Sequence, residues 1–95
     1  MIIRWTLQAT EDRLSIFNDI KDHHPPAALA MDLLFEQATK HLAQFPRLGK
    51  AGLVAGTREL LPHPSYRLVY EIDGDTLFIL TIVHTARAWP PVKDG

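Results

Sequence analysis

The chain has 95 residues, 46% hydrophobic and 22% charged, with a formal net charge of −1. That length supports one modest core, hence a single domain over residues 1–95, and the near-neutral balance excludes nucleic-acid binding through bulk charge. There is no cysteine, which excludes disulfide frameworks and thiolate metal centres, and no apolar run approaches the roughly 18 residues of a membrane span.

Residues 2–6, IIRWT, are β-branched and aromatic and suit a short first strand. From about residue 8 the period changes. Ala9, Arg13, Ile16, Phe17 and Ile20 recur at three- and four-residue spacing, as in a helix with one buried stripe. Glu11 and Asp12 fall in its early turns, where negative charge complements the helix dipole. The N-terminal segment is too charged for a signal peptide, so a cytoplasmic protein is expected.

HHPP, residues 23–26, interrupts the first helix and suits the first turn of a second one. In residues 26–45, Ala27, Met31, Leu34, Phe35, Ala38, Leu42 and Phe45 form an apolar face, with Asp32, Glu36 and Lys40 on another. Pro46 closes the helix, and a loop with three glycines, with room for a short strand, follows. Strands are expected at about 57–62, 66–72 and 76–83, the last two joined by the hairpin signal Asp73-Gly74-Asp75. TLFILTIV is apolar on both faces and reads as an interior strand. The order β-α-α-β-β-β predicts an α+β domain, a helical hairpin on one face of a small, mostly antiparallel sheet.

Alternation puts Tyr66, Leu68, Tyr70 and Ile72 on the core face of the middle strand, and Arg67, Val69 and Glu71 on the open face. Arg58 has the choice of joining Arg67, because the register is not derivable from sequence. Residues 46–95 carry six Lys/Arg against five Asp/Glu, so a basic patch has to be gathered by folding, from Arg58, Arg67 and Arg87. His84 ends the apolar strand, and imidazole titrates near physiological pH, which suits a general acid. A hydrogen-bonded packing histidine is the plainer assignment for such a lone residue. Trp89 beside Pro90 and Pro91 reads as a clamp on the sheet. No histidine has metal-ligand spacing with a carboxylate, and the glycine loop lacks GxxxxGK[ST], so no metal or cofactor is expected.

GTREL, HPSYRLVYEI and VHTARAWP, in residues 56–90, resemble the C-terminal half of RelE/ParE superfamily toxins of bacterial type II toxin–antitoxin modules. The nearest branch is the ParE/StbE-like plasmid-stabilisation group, whose ending His-x-x-Arg-x-aromatic-Pro reads here as His84, Arg87, Trp89 and Pro90. The resemblance implies a growth-inhibiting toxin neutralised by an antitoxin encoded beside it. It also implies one of two targets, DNA gyrase for ParE-like members or ribosome-bound mRNA for RelE-like endoribonucleases.

For RNA cleavage the resemblance assigns Arg58 and Arg67 as cations and His84 as acid. A base is hard to find. No carboxylate occurs between Glu36 and Glu59, Glu59 faces away from Arg58 by alternation, and the lysines of the second half are Lys50 and Lys93. The terminal tyrosine of many nuclease members is also missing. A gyrase-directed toxin is therefore expected, with Arg58, Arg67, Glu71, Arg87 and Trp89 meeting target or antitoxin.

Overall fold

The computed structural model of the chain describes residues 1–91. Strand β1 (Ile2–Trp5) leads into helices α1 (Leu7–Lys21) and α2 (Pro25–Gln44), and strands β2 (Lys50–Ala51), β3 (Arg58–His63), β4 (Tyr66–Asp73) and β5 (Thr76–His84) follow. The sheet runs β1-β5-β4-β3-β2. It is mixed. The three pairings among β2 to β5 are antiparallel, whereas β1 lies parallel to β5. The chain reaches β1's neighbour only after crossing the helical hairpin and three further strands.

Local chemistry places each boundary. Thr6 accepts a hydrogen bond from the Ala9 N–H at 3.1 Å and donates to the Leu80 carbonyl, capping α1 while tying it to β5. His24 caps α2 with Nδ1 accepting from the Ala27 N–H at 3.0 Å, and prolines occupy the first helical positions. Gly74 turns the β4–β5 hairpin with φ +63°, a conformation that L side chains rarely adopt. β5 is interior, between β1 and β4, as its two-faced apolarity requires.

Ala9, Leu42, Leu68, Tyr70, Leu77 and Ile79 form the buried cluster between hairpin and sheet, with Ile3, Trp5, Leu60 and Ile72 packed against it. Phe35 of α2 meets Tyr66 edge-on at 5.7 Å between ring centroids. The face assigned to Tyr66, Leu68, Tyr70 and Ile72 is thus the helix-covered one.

Three expectations for the helices differ. Asp12 does not serve the dipole of α1, whose first turn holds no acid. Its carboxylate instead accepts from the Thr81 hydroxyl and, at 3.1 Å, from the Ile82 N–H, where β5 carries one extra residue opposite β4. Asp32 and Glu36 do not form an independent solvated face, because Arg13 of α1 reaches them at 2.7 and 3.2 Å. Those carboxylates hold the Arg13 guanidinium pKa above its usual value, against the opposing effect of burial, and its charge rests 4.9 Å from the Trp5 ring centre. Phe45 leaves the apolar face altogether. The helix ends at Gln44, and Phe45, past the last helical turn, is 62% exposed.

Candidate functional site

The sheet register decides which candidate residues can act together. Residues directly opposite on neighbouring strands share a face. Arg58 lies opposite Tyr70, so it belongs to the helix side, whereas Glu59 lies opposite Val69, on the side of Arg67. Arg58 and Arg67 are therefore on opposite faces of the sheet. His84 lies opposite Tyr66 and Val83 opposite Arg67, which separates His84 from Arg67 as well. Although Arg58 and His84 share a parity, they pair with β4 from opposite sides, at Tyr70 and at Tyr66 four residues away.

Arg67 already has a counter-ion. Its Nε is 2.9 Å from Glu59 Oε1, and the Glu59 side chain is 4% exposed. The second carboxylate oxygen accepts the Leu53 N–H at 3.0 Å, anchoring the β2–β3 connection. The face read as open is closed at this point, since Val69 and Glu59 are both buried. Gly52 makes the closure possible, because a Cβ there would collide with Thr57 Oγ1 and stand 3.1 Å from Glu59 Oε2. Alternation set Glu59 and Arg58 on opposite faces, as found, but left open which face each takes. The glycine loop that covers Glu59 left no periodic signal.

Arg58 is bound differently. Its Nη1 donates to the Gly49 carbonyl at 2.7 Å. Beside it the Tyr70 hydroxyl accepts from the Gly49 N–H at 2.9 Å and donates to the Pro46 carbonyl at 2.7 Å. One phenol and one guanidinium thus fix the Pro46–Gly49 turn against the sheet. Burial raises the Tyr70 pKa above 10, with the Gly49 N–H and the Arg58 charge acting in the opposite direction.

His84 is exposed, its ring 5.3 Å from Tyr66 in an edge-on arrangement. Nδ1 accepts from the Ala86 N–H at 3.0 Å, so a neutral ring carries its proton on Nε2. Arg87 is exposed and its N–H bonds to the His84 carbonyl, while Trp89 is half-buried and Glu71 half-buried on Arg67's side of β4. Lys50 is exposed on β2, and Lys93 lies outside the described residues. No cluster of three or more His, Asp or Glu able to hold a metal occurs among the described residues.

The helical hairpin presents a second surface. A groove of about 410 Å³ runs between α1 and α2, lined by Thr10, Arg13, Leu14, Phe17 and Asp32. Leu14, Leu29 and Leu33, on the same two helices, are more than half exposed. Sequence periodicity identified the buried stripes but gave no sign that the hairpin also keeps apolar residues in water.

A family model described as the ParE toxin of the type II toxin–antitoxin system parDE matches residues 3–89. The chain belongs to the ParE toxin family. It is a toxin of the RelE/ParE superfamily, and such a toxin has a cognate antitoxin as partner. The toxin is 36% identical over 91 residues to the toxin candidate Y4kP of Sinorhizobium fredii, covering 95% of this chain and 94% of that one. To toxin RelE2 of Caulobacter vibrioides it is 34% identical over 83 residues, covering 87% and 93%. Among solved structures, the chromosomal ParDE system of P. aeruginosa superposes with a TM-score of 0.78 at 24% identity, over 88% of the toxin and 95% of that chain. The YoeB/ParE toxin of Agrobacterium tumefaciens gives 0.64 at 17% identity, over 88% and 98%. These two likenesses establish the fold, two helices on a five-stranded mixed sheet.

Proposed function

We propose that the toxin arrests bacterial growth in the cytoplasm as a ParE-like poison of DNA gyrase and is not itself a nuclease. The observation that carries this reading is the dispersal of Arg58, Arg67 and His84. Cleavage of RNA through the 2′-hydroxyl needs a base, an acid and cations around one phosphate. Here Arg67 is neutralised by Glu59 at 2.9 Å, and Arg58 and His84 stand opposite Tyr70 and Tyr66, four residues or about 13 Å apart along β4 and on either side of it. The antitoxin is proposed to lay an amphipathic segment into the α1–α2 groove, covering Leu14, Leu29 and Leu33 as a helix does in an apolar groove.

A RelE-like, ribosome-dependent mRNA endoribonuclease is the alternative, favoured by one observation. His84 is exposed with its Nε2 directed away from the Ala86 bond, available to protonate a leaving oxygen. Gyrase supercoiling and cleavage assays with purified toxin, run beside translation-coupled mRNA cleavage, separate the two. Gyrase-dependent DNA breaks with intact mRNA support the proposal, and mRNA cleavage without an effect on gyrase overturns it.

A further inference from the structure

Among the described residues three arginines are half-buried: Arg13, Arg58 and Arg67. Two of them have carboxylates, at 2.7 and 3.2 Å for Arg13 and at 2.9 Å for Arg67. Among the described residues Arg58 has no carboxylate at salt-bridge distance, and its partner there is the Gly49 carbonyl. A guanidinium carries five donors, and a partly desolvated charge without a counter-ion is unfavourable. The other two sites show how this fold treats such a charge, and Arg58 is the exception.

Arg58 opens into a cleft of about 400 Å³ at the turn end of the β4–β5 hairpin. Met1, Pro46, Arg47, Gly56, Ile72 and Gly74 also line it, the Met1 ammonium donating to the Ala43 carbonyl, and none of the lining residues is acidic. A Cβ at Gly56 or Gly74 would meet nothing within 4 Å, so the walls there are open backbone. We propose that this cleft binds a carboxylate presented by an acidic segment of a protein partner. The partner's identity as the antitoxin rests on the toxin–antitoxin reading above, whereas the chemistry of the cleft does not.

Two features select a single carboxylate over a nucleic-acid backbone. Asp73 and Asp75 flank Gly74 at the rim, both exposed, and repel a ligand with a charge on every unit. Nucleic-acid affinity grows with the number of phosphates neutralised, and this cleft offers two arginines. One carboxylate bridged by Arg47 and Arg58 avoids the acidic rim and suits the planar, paired donors of a guanidinium. Pro46 and Ile72 line the cleft beside the two arginines and make part of its wall apolar. The fitting ligand is thus an acidic residue with apolar neighbours.

The test uses the full chain, isotopically labelled, with three probes: the purified protein encoded beside it, a blocked peptide alternating Leu and Glu, and a single-stranded oligonucleotide. The peptide is expected to shift the amides of Gly56, Arg58 and Gly74. Arg47→Glu should weaken binding of the neighbouring protein by about tenfold or more, and Arg4→Glu, the same charge change at an exposed position of β1, by less than about twofold. Arg58→Gln, checked for an unchanged melting temperature, should reproduce the Arg47→Glu loss. Affinity within about twofold for both folded arginine variants overturns the inference, as does a shift of these amides by the oligonucleotide and not by the peptide. Should the neighbouring protein fail to bind the unaltered toxin, the partner assignment falls, and the peptide titration alone decides the cleft.

Discussion

Tyr70 does two jobs with one hydroxyl, and the bond to the Pro46 carbonyl depends on its proton. The phenol donates to the Pro46 carbonyl and accepts from the Gly49 N–H, so Tyr70→Phe leaves both turn groups without this partner. A loss of about 1–3 kcal/mol is expected. For a domain of this size each kcal/mol corresponds to a fall of about 4–8 °C in Tm, which calorimetry would read directly. The pKa is raised in the folded state, so the unfolded chain releases this proton first as pH rises. Stability from this source is complete below about pH 10 and is lost above it, as pH passes through the folded value. Tyr70→Phe should flatten that alkaline limb in a series of urea titrations. Glu59 is a second such residue. Glu59→Ala strands Arg67 and the Leu53 N–H together and should cost about 2–3 kcal/mol by urea unfolding. His84 is different, because its contacts are peripheral. On the gyrase reading, a folded His84→Gln variant keeps toxicity within a few-fold, whereas on the nuclease reading mRNA cleavage slows by about 100- to 10,000-fold.

At the scale of elements, strong periodicity and turn chemistry were legible, and side-chain partnerships across the chain were not. The 3.6-residue pattern marked both helices, Asp73-Gly74-Asp75 marked the hairpin, and the two-faced apolarity of TLFILTIV marked an interior strand. Sequence could not tell that Asp12 spends its charge on a strand bulge 69 residues away, because nothing local distinguishes a dipole-facing acid from a tertiary one. The separation of Arg58 from Arg67 depended on a register set by how β3 meets β4, which alternation within one strand cannot supply. The β2–β3 connection was read only as a glycine-rich loop, yet it covers the Glu59–Arg67 pair. Its integrity turns on Gly52. Gly52→Ala should displace Thr57 and release the Leu53 N–H from Glu59, without unfolding the helices. Hydrogen exchange would show this as loss of protection confined to residues 52–59.

For the whole molecule, expression of the chain alone should stop bacterial growth, and co-expression of the small protein encoded beside it should restore growth. Normal growth with abundant folded protein would rule out the toxin activity in the host tested. Deleting residues 87–95 removes Arg87 and Trp89, and is expected to reduce toxicity more than His84→Gln does, as colony counts after induction would show. The parallel pairing of β1 with β5 bears on how the cell makes such a protein. A chain emerging from the ribosome shows β1 and the helical hairpin first, but β5 is the neighbour of β1, of β4, of Thr6 that caps α1 and of Asp12 within α1. Until Thr76–His84 has been synthesised, β1 has no strand partner, and nothing joins it to the β3–β4 hairpin. Chains terminated upstream of β5 are therefore expected to stay unfolded and open to proteases, which limited proteolysis of a chain ending at Asp75 would check. Among the described residues, the strand made last is the one that closes the sheet.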